Sequence, residues 1–83
     1  MTNMPPLRLL FVCTGNSARS LMAEALAPHL FPGQLEAGSA GSSPSGTPHP
    51  LALAAIRQHG IPHEHLNSKG ISAVQHLPWD MVV

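Results

Sequence analysis

The sequence predicts an α/β fold, a parallel sheet flanked by helices, and two observations carry that prediction. Strand-like and helix-like patterns alternate along the chain, and residues 7–12 (LRLLFV) form a short, almost wholly apolar run of the kind buried in a parallel sheet. Alternation of this kind implies right-handed crossovers, with ligands bound beyond the carboxyl ends of the strands. The 83 residues make one small domain, 1–83, which buries only about 60% of the surface its unfolded chain exposes.

Taken in order, the first strand follows Pro5 and Pro6 and is expected at the centre of the sheet. A small polar loop, CTGNSARS, leads into LMAEALAPHL, where Leu21, Met22, Ala25, Leu26 and Leu30 recur at helical spacing. Pro32 and Gly33 break that helix, and residues 34–40 are read as a second strand. The loop GSAGSSPSGTPHP follows, dense in Gly, Ser and Pro. Thr47 is read as the cap of a second helix with Pro48 in its first turn, although Pro50 leaves the boundary open. LALAAIRQH ends at Gly60, a normal stop residue. Residues 71–77 are read as a short helix broken by Pro78, and Met81–Val83 as the opening of a third strand. No internal repeat or linker divides the chain.

Composition excludes several classes of function. Four basic side chains balance four acidic ones, so no long-range field attracts nucleic acid or an anionic membrane. The run from Leu9 to Val12 is too short for a signal peptide or a spanning helix. One cysteine permits no disulfide within the chain and suits a reducing, cytoplasmic setting.

That cysteine stands where chemistry is expected. Cys13 and Arg19 enclose Thr14, Gly15, Asn16, Ser17 and Ala18, enough chain to wrap once around a tetrahedral anion. Gly15 admits backbone angles closed to other residues, and Asn16 tolerates the left-handed region. The loop feeds a helix start, whose unpaired amides favour an anion, and Arg19 adds a planar fork able to grip two oxygens. The same field lowers a thiol's pKa, so Cys13 is expected to be a thiolate nucleophile. A hydroxyl from Ser17 or Ser20 is available to stabilise it, and Ser20 is favoured.

VCTGNSARSLMAEAL, with SAGSSPSG, HPLALAAIRQHGI, NSKGIS and WDMVV following in that order, resembles the low-molecular-weight phosphotyrosine protein phosphatase superfamily, and within it the arsenate reductase branch. The resemblance covers almost the whole chain. It implies a four-stranded parallel sheet, here truncated at the third strand, with Cys13 as nucleophile, Arg19 as oxyanion ligand, Ser20 as donor to the thiolate and Asn16 holding the loop's shape. The implied substrate is a small oxyanion, arsenate or a phosphate ester. No bound cofactor is implied. A reductase would draw on an external thiol donor, either a low-molecular-weight thiol or a thioredoxin- or glutaredoxin-type protein, because no second cysteine is present.

Family members continue past the strand that opens at Met81 into a loop bearing an aspartate general acid. Asp80 is expected at the other end of the sheet from Cys13 and does not replace it. The chain is therefore weighed as an arsenate reductase, as a tyrosine phosphatase, or as a catalytically incomplete anion-binding fragment. A bare third strand leaves an edge, which pairing with a second copy by element exchange would close. Thioredoxin-coupled relatives complete a cation site with an acidic residue soon after the Gly-Ile matching Gly60-Ile61. Pro62 stands there, and no metal is predicted.

The remaining candidates take plainer readings. His63, Glu64 and His65 are read as a surface loop, His49 as a loop residue, Trp79 as core or edge packing, and Lys69 as solvated. Glu24, one turn after Ser20, either braces the loop or lies exposed.

Overall fold

A computed structural model describes residues 5–83. Three strands, β1 (Leu7–Cys13), β2 (Leu35–Gly41) and β3 (Met81–Val82), form one parallel sheet in the order β2-β1-β3. β1 is central, as its apolar run requires. β2 runs beside it in full register from Leu7 opposite Leu35 to Cys13 opposite Gly41. β3 pairs Met81 and Val82 with Leu9 and Leu10, and Val12 N–H donates to the Val83 carbonyl at 2.9 Å.

The first helix, α1 (Arg19–Leu30), starts where the polar loop ends and carries Pro28 in its last turn. Its buried face differs from the predicted apolar stripe. Leu21 and Ala25 are buried, but they share that face with Ser20 and Glu24, whereas Leu26 and Leu30 are exposed. The helix is rotated so that two polar side chains reach the sheet's carboxyl end. Burial of polar groups is tolerated only where hydrogen bonds satisfy them, and such bonds are described below.

The second helix, α2 (Pro50–Gln58), begins two residues later than a cap at Thr47 would place it. His49 is the cap, its Nδ1 accepting from Leu51 N–H at 3.1 Å, and Pro50 takes the first helical position, where no N–H is needed. Thr47 is held instead in a local turn with Ser45. Gly60 stops the helix region with φ +68°.

Residues 71–77 do not make the expected α-helix. Only Ile71–Ala73 forms a turn of 3₁₀ helix. Pro78 has no N–H to offer the Val74 carbonyl, and the Trp79 indole supplies one at 2.9 Å.

Two apolar clusters hold these elements together. Leu21, Ala25, Ile56, Ile61 and Leu66 join α1 to α2 and the segment after it. Leu10, Ala40 and Val74, with Val12 and Trp79 against them, form the second. Leu10 and Val12 are two residues apart on β1 and so share one face of the sheet. Trp79 lies against β2 at Gly38, where a Cβ would meet its ring at 2.4 Å.

Candidate functional site

The loop between β1 and α1 owes its shape to donors from the following segment. The carbonyl of Cys13 accepts from Ser42 N–H, that of Thr14 from Ser43, that of Gly15 from Ser45, and that of Ser17 from His49, at 2.8–3.1 Å. Ser68 Oγ also donates to the Gly15 carbonyl, and Met22 N–H to that of Ala18. In a planar trans peptide the N–H points opposite to the C=O. Pinning these carbonyls to the flanking chain therefore turns the amides of Thr14, Gly15, Asn16, Ala18 and Arg19 the other way, into the loop. Among the described residues, the N–H groups of Thr14, Gly15, Ser17 and Ala18 donate to no backbone or side-chain acceptor. Convergent unpaired amides ahead of a helix make an anion cup.

Asn16 sits at φ +47°, in the left-handed region, and is completely buried. It spends every polar atom of its side chain. Its Oδ1 accepts from Lys69 N–H at 2.8 Å, while Nδ2 donates to Ser20 Oγ at 2.7 Å and to Ser39 Oγ at 2.9 Å. Lys69 N–H can only donate, which fixes the orientation of the Asn16 amide.

Donor and acceptor roles then follow around the network. Ser39 Oγ lies 2.5 Å from Glu24 Oε1 and donates to that carboxylate, so it receives the proton of Asn16. Ser20 Oγ likewise accepts from Asn16, which leaves its own hydrogen for Cys13 Sγ, 2.9 Å away. The chain of bonds runs from a buried carboxylate to a sulfur and points a proton at it.

Burial raises the thiol pKa, but hydrogen bonds outweigh it. The Ser20 hydroxyl, the amides of Ser20 and Asn16, and the positive charge of Arg19 together hold Cys13 below the ordinary thiol value. Cys13 is partly exposed, and beside it lies a shallow depression of about 200 Å³ whose walls include Arg19, Ser20, Phe11 and Val83. Arg19 is exposed at the helix start, on the wall of that depression. A larger apolar groove, about 450 Å³, lies between α1 and α2 and includes neither Cys13 nor Arg19.

The structure thus brings Cys13, Asn16, Arg19 and Ser20 together around one loop, with Thr14, Gly15, Ser17 and Ala18 as its wall. Ser17 Oγ is not the hydroxyl at the sulfur. Glu24 is buried and braces the loop, and the exposed alternative is set aside. Lys69, read as solvated, is instead drawn inward, with Nζ 3.6 Å from Glu24 Oε1, 3.4 Å from Ser39 Oγ and 3.0 Å from the Asn67 carbonyl. A buried carboxylate needs a countercharge, and the ammonium supplies it. His65 reaches Glu24 only at 4.0 Å, and His63 and Glu64 stay on the loop. Among the described residues no cluster of three or more His, Cys, Asp or Glu converges on one point.

Sequence reasoning missed Ser39. It sits in the small-residue strand LEAGSAG, and its only signal was a polar side chain in a strand otherwise built for burial. Asp80 is at the far end of the sheet, where its Oδ2 accepts from Arg8 N–H at 2.8 Å.

No helix among the described residues is long and apolar enough to cross a membrane. Among curated sequences none is significantly similar to this chain. Solved structures are. A thioredoxin-dependent arsenate reductase from Corynebacterium glutamicum is 33% identical over 83% of this chain and 35% of its own, with a TM-score of 0.75. An arsenate reductase in a phosphate-binding state is 34% identical, covering 92% of this chain and 57% of its own, at 0.81. A low molecular weight protein tyrosine phosphatase from T. tengcongensis is 29% identical, covering 93% and 56%, at 0.76. The chain thus spans between about a third and somewhat over half of the length of these structures. The model of the low molecular weight phosphotyrosine protein phosphatase family matches residues 8–83, and the chain belongs to that family.

Proposed function

We propose that this chain carries out thiolate chemistry on a small oxyanion, with arsenate reduction as the leading activity. The observation that carries the reading is the pinned loop: amides turned inward around a thiol whose pKa is lowered, with Arg19 at its edge. Arsenate reductases at 33% and 34% identity stand among the structures the chain resembles, beside phosphatases at up to 37%, so arsenate is one of the anions this resemblance admits.

In this mechanism the inward amides and the Arg19 guanidinium bind arsenate and neutralise its charge. The Cys13 thiolate attacks arsenic, forming a sulfur–arsenic bond as one oxygen leaves as water. A thiol from outside, of low molecular weight or on a thioredoxin- or glutaredoxin-type protein, then attacks Cys13 Sγ. The sulfur–arsenic bonding pair stays on arsenic, which departs as arsenite, and Cys13 remains as a mixed disulfide. A second thiol reduces that disulfide and restores the thiolate, so two thiols are oxidised for each arsenate reduced. No bound cofactor takes part.

A second reading is supported by the similarity to a tyrosine phosphatase. The same thiolate attacks phosphorus, the phosphorus–oxygen bond breaks as the alcohol departs with a proton taken from solvent, and water releases phosphate from the phosphocysteine. Asp80, bonded to Arg8 at the opposite end of β1, supplies no proton to that leaving group.

The deciding measurement is arsenite release from arsenate with a supplied thiol, run beside aryl phosphate hydrolysis, on this chain and on Cys13→Ser. Arsenite production lost in the variant is the expected result. Hydrolysis alone moves the assignment to the phosphatase, and anion binding without either reaction leaves a binding fragment.

A further inference from the structure

We propose that Lys69 is a positioning residue for the Cys13 nucleophile, acting through Glu24, Ser39 and Asn16. The inference rests on the reading of Cys13 as nucleophile and concerns what keeps it one.

Lys69 holds the network in two places. Its backbone N–H fixes the Asn16 amide, and its carbonyl accepts from Gly41 N–H at 2.9 Å, which seats residues 68–70 against the end of β2. Its ammonium lies over Glu24 Oε1 and Ser39 Oγ. Ser39 is fully buried and Glu24 is 8% exposed, so little solvent is at hand to replace a lost partner. A buried carboxylate deprived of its countercharge is strongly unfavourable. The ammonium therefore keeps Glu24 in the acceptor role that orders every later bond: Ser39 gives its proton to Glu24, Asn16 gives one to Ser39 and one to Ser20, and Ser20 gives its own to Sγ. The charged groups facing this chain of bonds are Lys69 and His65 at Glu24 and Arg19 at Cys13. His65 is half exposed and at 4.0 Å, so Lys69 is the closer and better shielded partner.

The side chain can be tested apart from the backbone contact, because Lys69→Met keeps the N–H and the aliphatic stem. The thiolate of Cys13 is titrated by its ultraviolet absorbance and by the pH dependence of iodoacetamide alkylation. The comparison includes Lys69→Met, Lys69→Arg, Glu24→Gln, the double variant, and Arg57→Met, which removes one positive charge from exposed α2. The expected result is a raised thiol midpoint in Lys69→Met, with alkylation at neutral pH slowed about twofold or more, the lower end of coupling within one hydrogen-bond network. Lys69→Arg restores most of the rate, and Lys69→Met adds little once Glu24 is Gln. If Lys69→Met does not fold, the double variant, in which neither charge is left alone, carries the test and is expected to show the raised midpoint. An unchanged midpoint in the folded variant, an equal shift from Arg57→Met, or full additivity with Glu24→Gln overturns the proposal. Thiol titration needs no turnover, so failure of the arsenate and phosphatase assays defeats the functional reading and leaves this test readable.

Discussion

The two ends of β1 each gather charged residues, and they use them differently. At the amino end Arg8 lies 3.6 Å from Glu36 and 5.5 Å from the centre of the Trp79 ring, and Asp80 accepts the Arg8 N–H. The side chains of that ion pair are 37% and 56% exposed, where water screens them and the pair is worth about 0–1 kcal/mol. At the carboxyl end Glu24, Ser39 and Asn16 are buried with the Lys69 ammonium against them, and their polar atoms are held by one another rather than by solvent. The same kinds of side chain tie a strand at one end and set the state of a thiol at the other. Exclusion of water makes the difference.

The sharpest way to break this contrast is to remove one carboxylate at each end. Glu24→Ala leaves Ser39 without its acceptor and Lys69 without its countercharge in a largely buried place, and the expected loss of stability is about 3 kcal/mol. Asp80→Ala removes one exposed acceptor from Arg8 N–H, at a cost of about 0.5–1.5 kcal/mol. Urea denaturation of both variants measures the difference, and equal losses would show that burial does not distinguish the two ends.

Two glycines on β2 extend the comparison to the backbone. A Cβ at Gly41 would sit 2.6 Å from the Thr14 carbonyl oxygen and 3.0 Å from Asn16 N, both backbone atoms of the loop. A Cβ at Gly38 would meet the Trp79 ring at 2.4 Å, away from the loop. Gly41→Ala is therefore expected to cost about 1–3 kcal/mol and to weaken binding of inorganic phosphate, whereas Gly38→Ala, at a similar cost, leaves binding unchanged. Thermal melts and phosphate titrations of the two variants check this.

The smallest effect concerns the thiol. Ser20→Ala removes the strongest hydrogen bond holding the Cys13 pKa down, so the alkylation midpoint moves up. The linkage to stability has a definite sign. A thiol more acidic in the folded than in the unfolded chain adds stability that is complete above the unfolded value and is lost as pH falls through the folded one. Melting temperatures measured from neutral to alkaline pH should rise relative to those of Cys13→Ser, and Ser20→Ala should reduce that rise.

Much of the site is legible in the order of the residues. The apolar run at 7–12 places a central strand, and the spacing from Cys13 to Arg19 across Gly15 and Asn16 marks the loop. Ser20 follows from its place one residue into the helix. The starts of helices are harder to read. Thr47 has the better capping chemistry, but the tie between His49 N–H and the Ser17 carbonyl decides where α2 begins. The stripe on α1 misleads in the same way, since Leu26 and Leu30 match the helical period yet lie exposed, while Ser20 and Glu24 take the buried face.

Local chemistry in the chain is enough to determine the alternation of strand and helix, the central strand, and the identity of the thiol and its arginine, because each depends on neighbours a few residues apart. Tertiary structure alone decides that Ser39 and Lys69 belong to the site and that Glu24 is buried rather than solvated. Those assignments rest on contacts between residues 15 to 53 positions apart, which no periodicity or motif encodes. What a polar side chain does depends on whether folding leaves it water or a single partner.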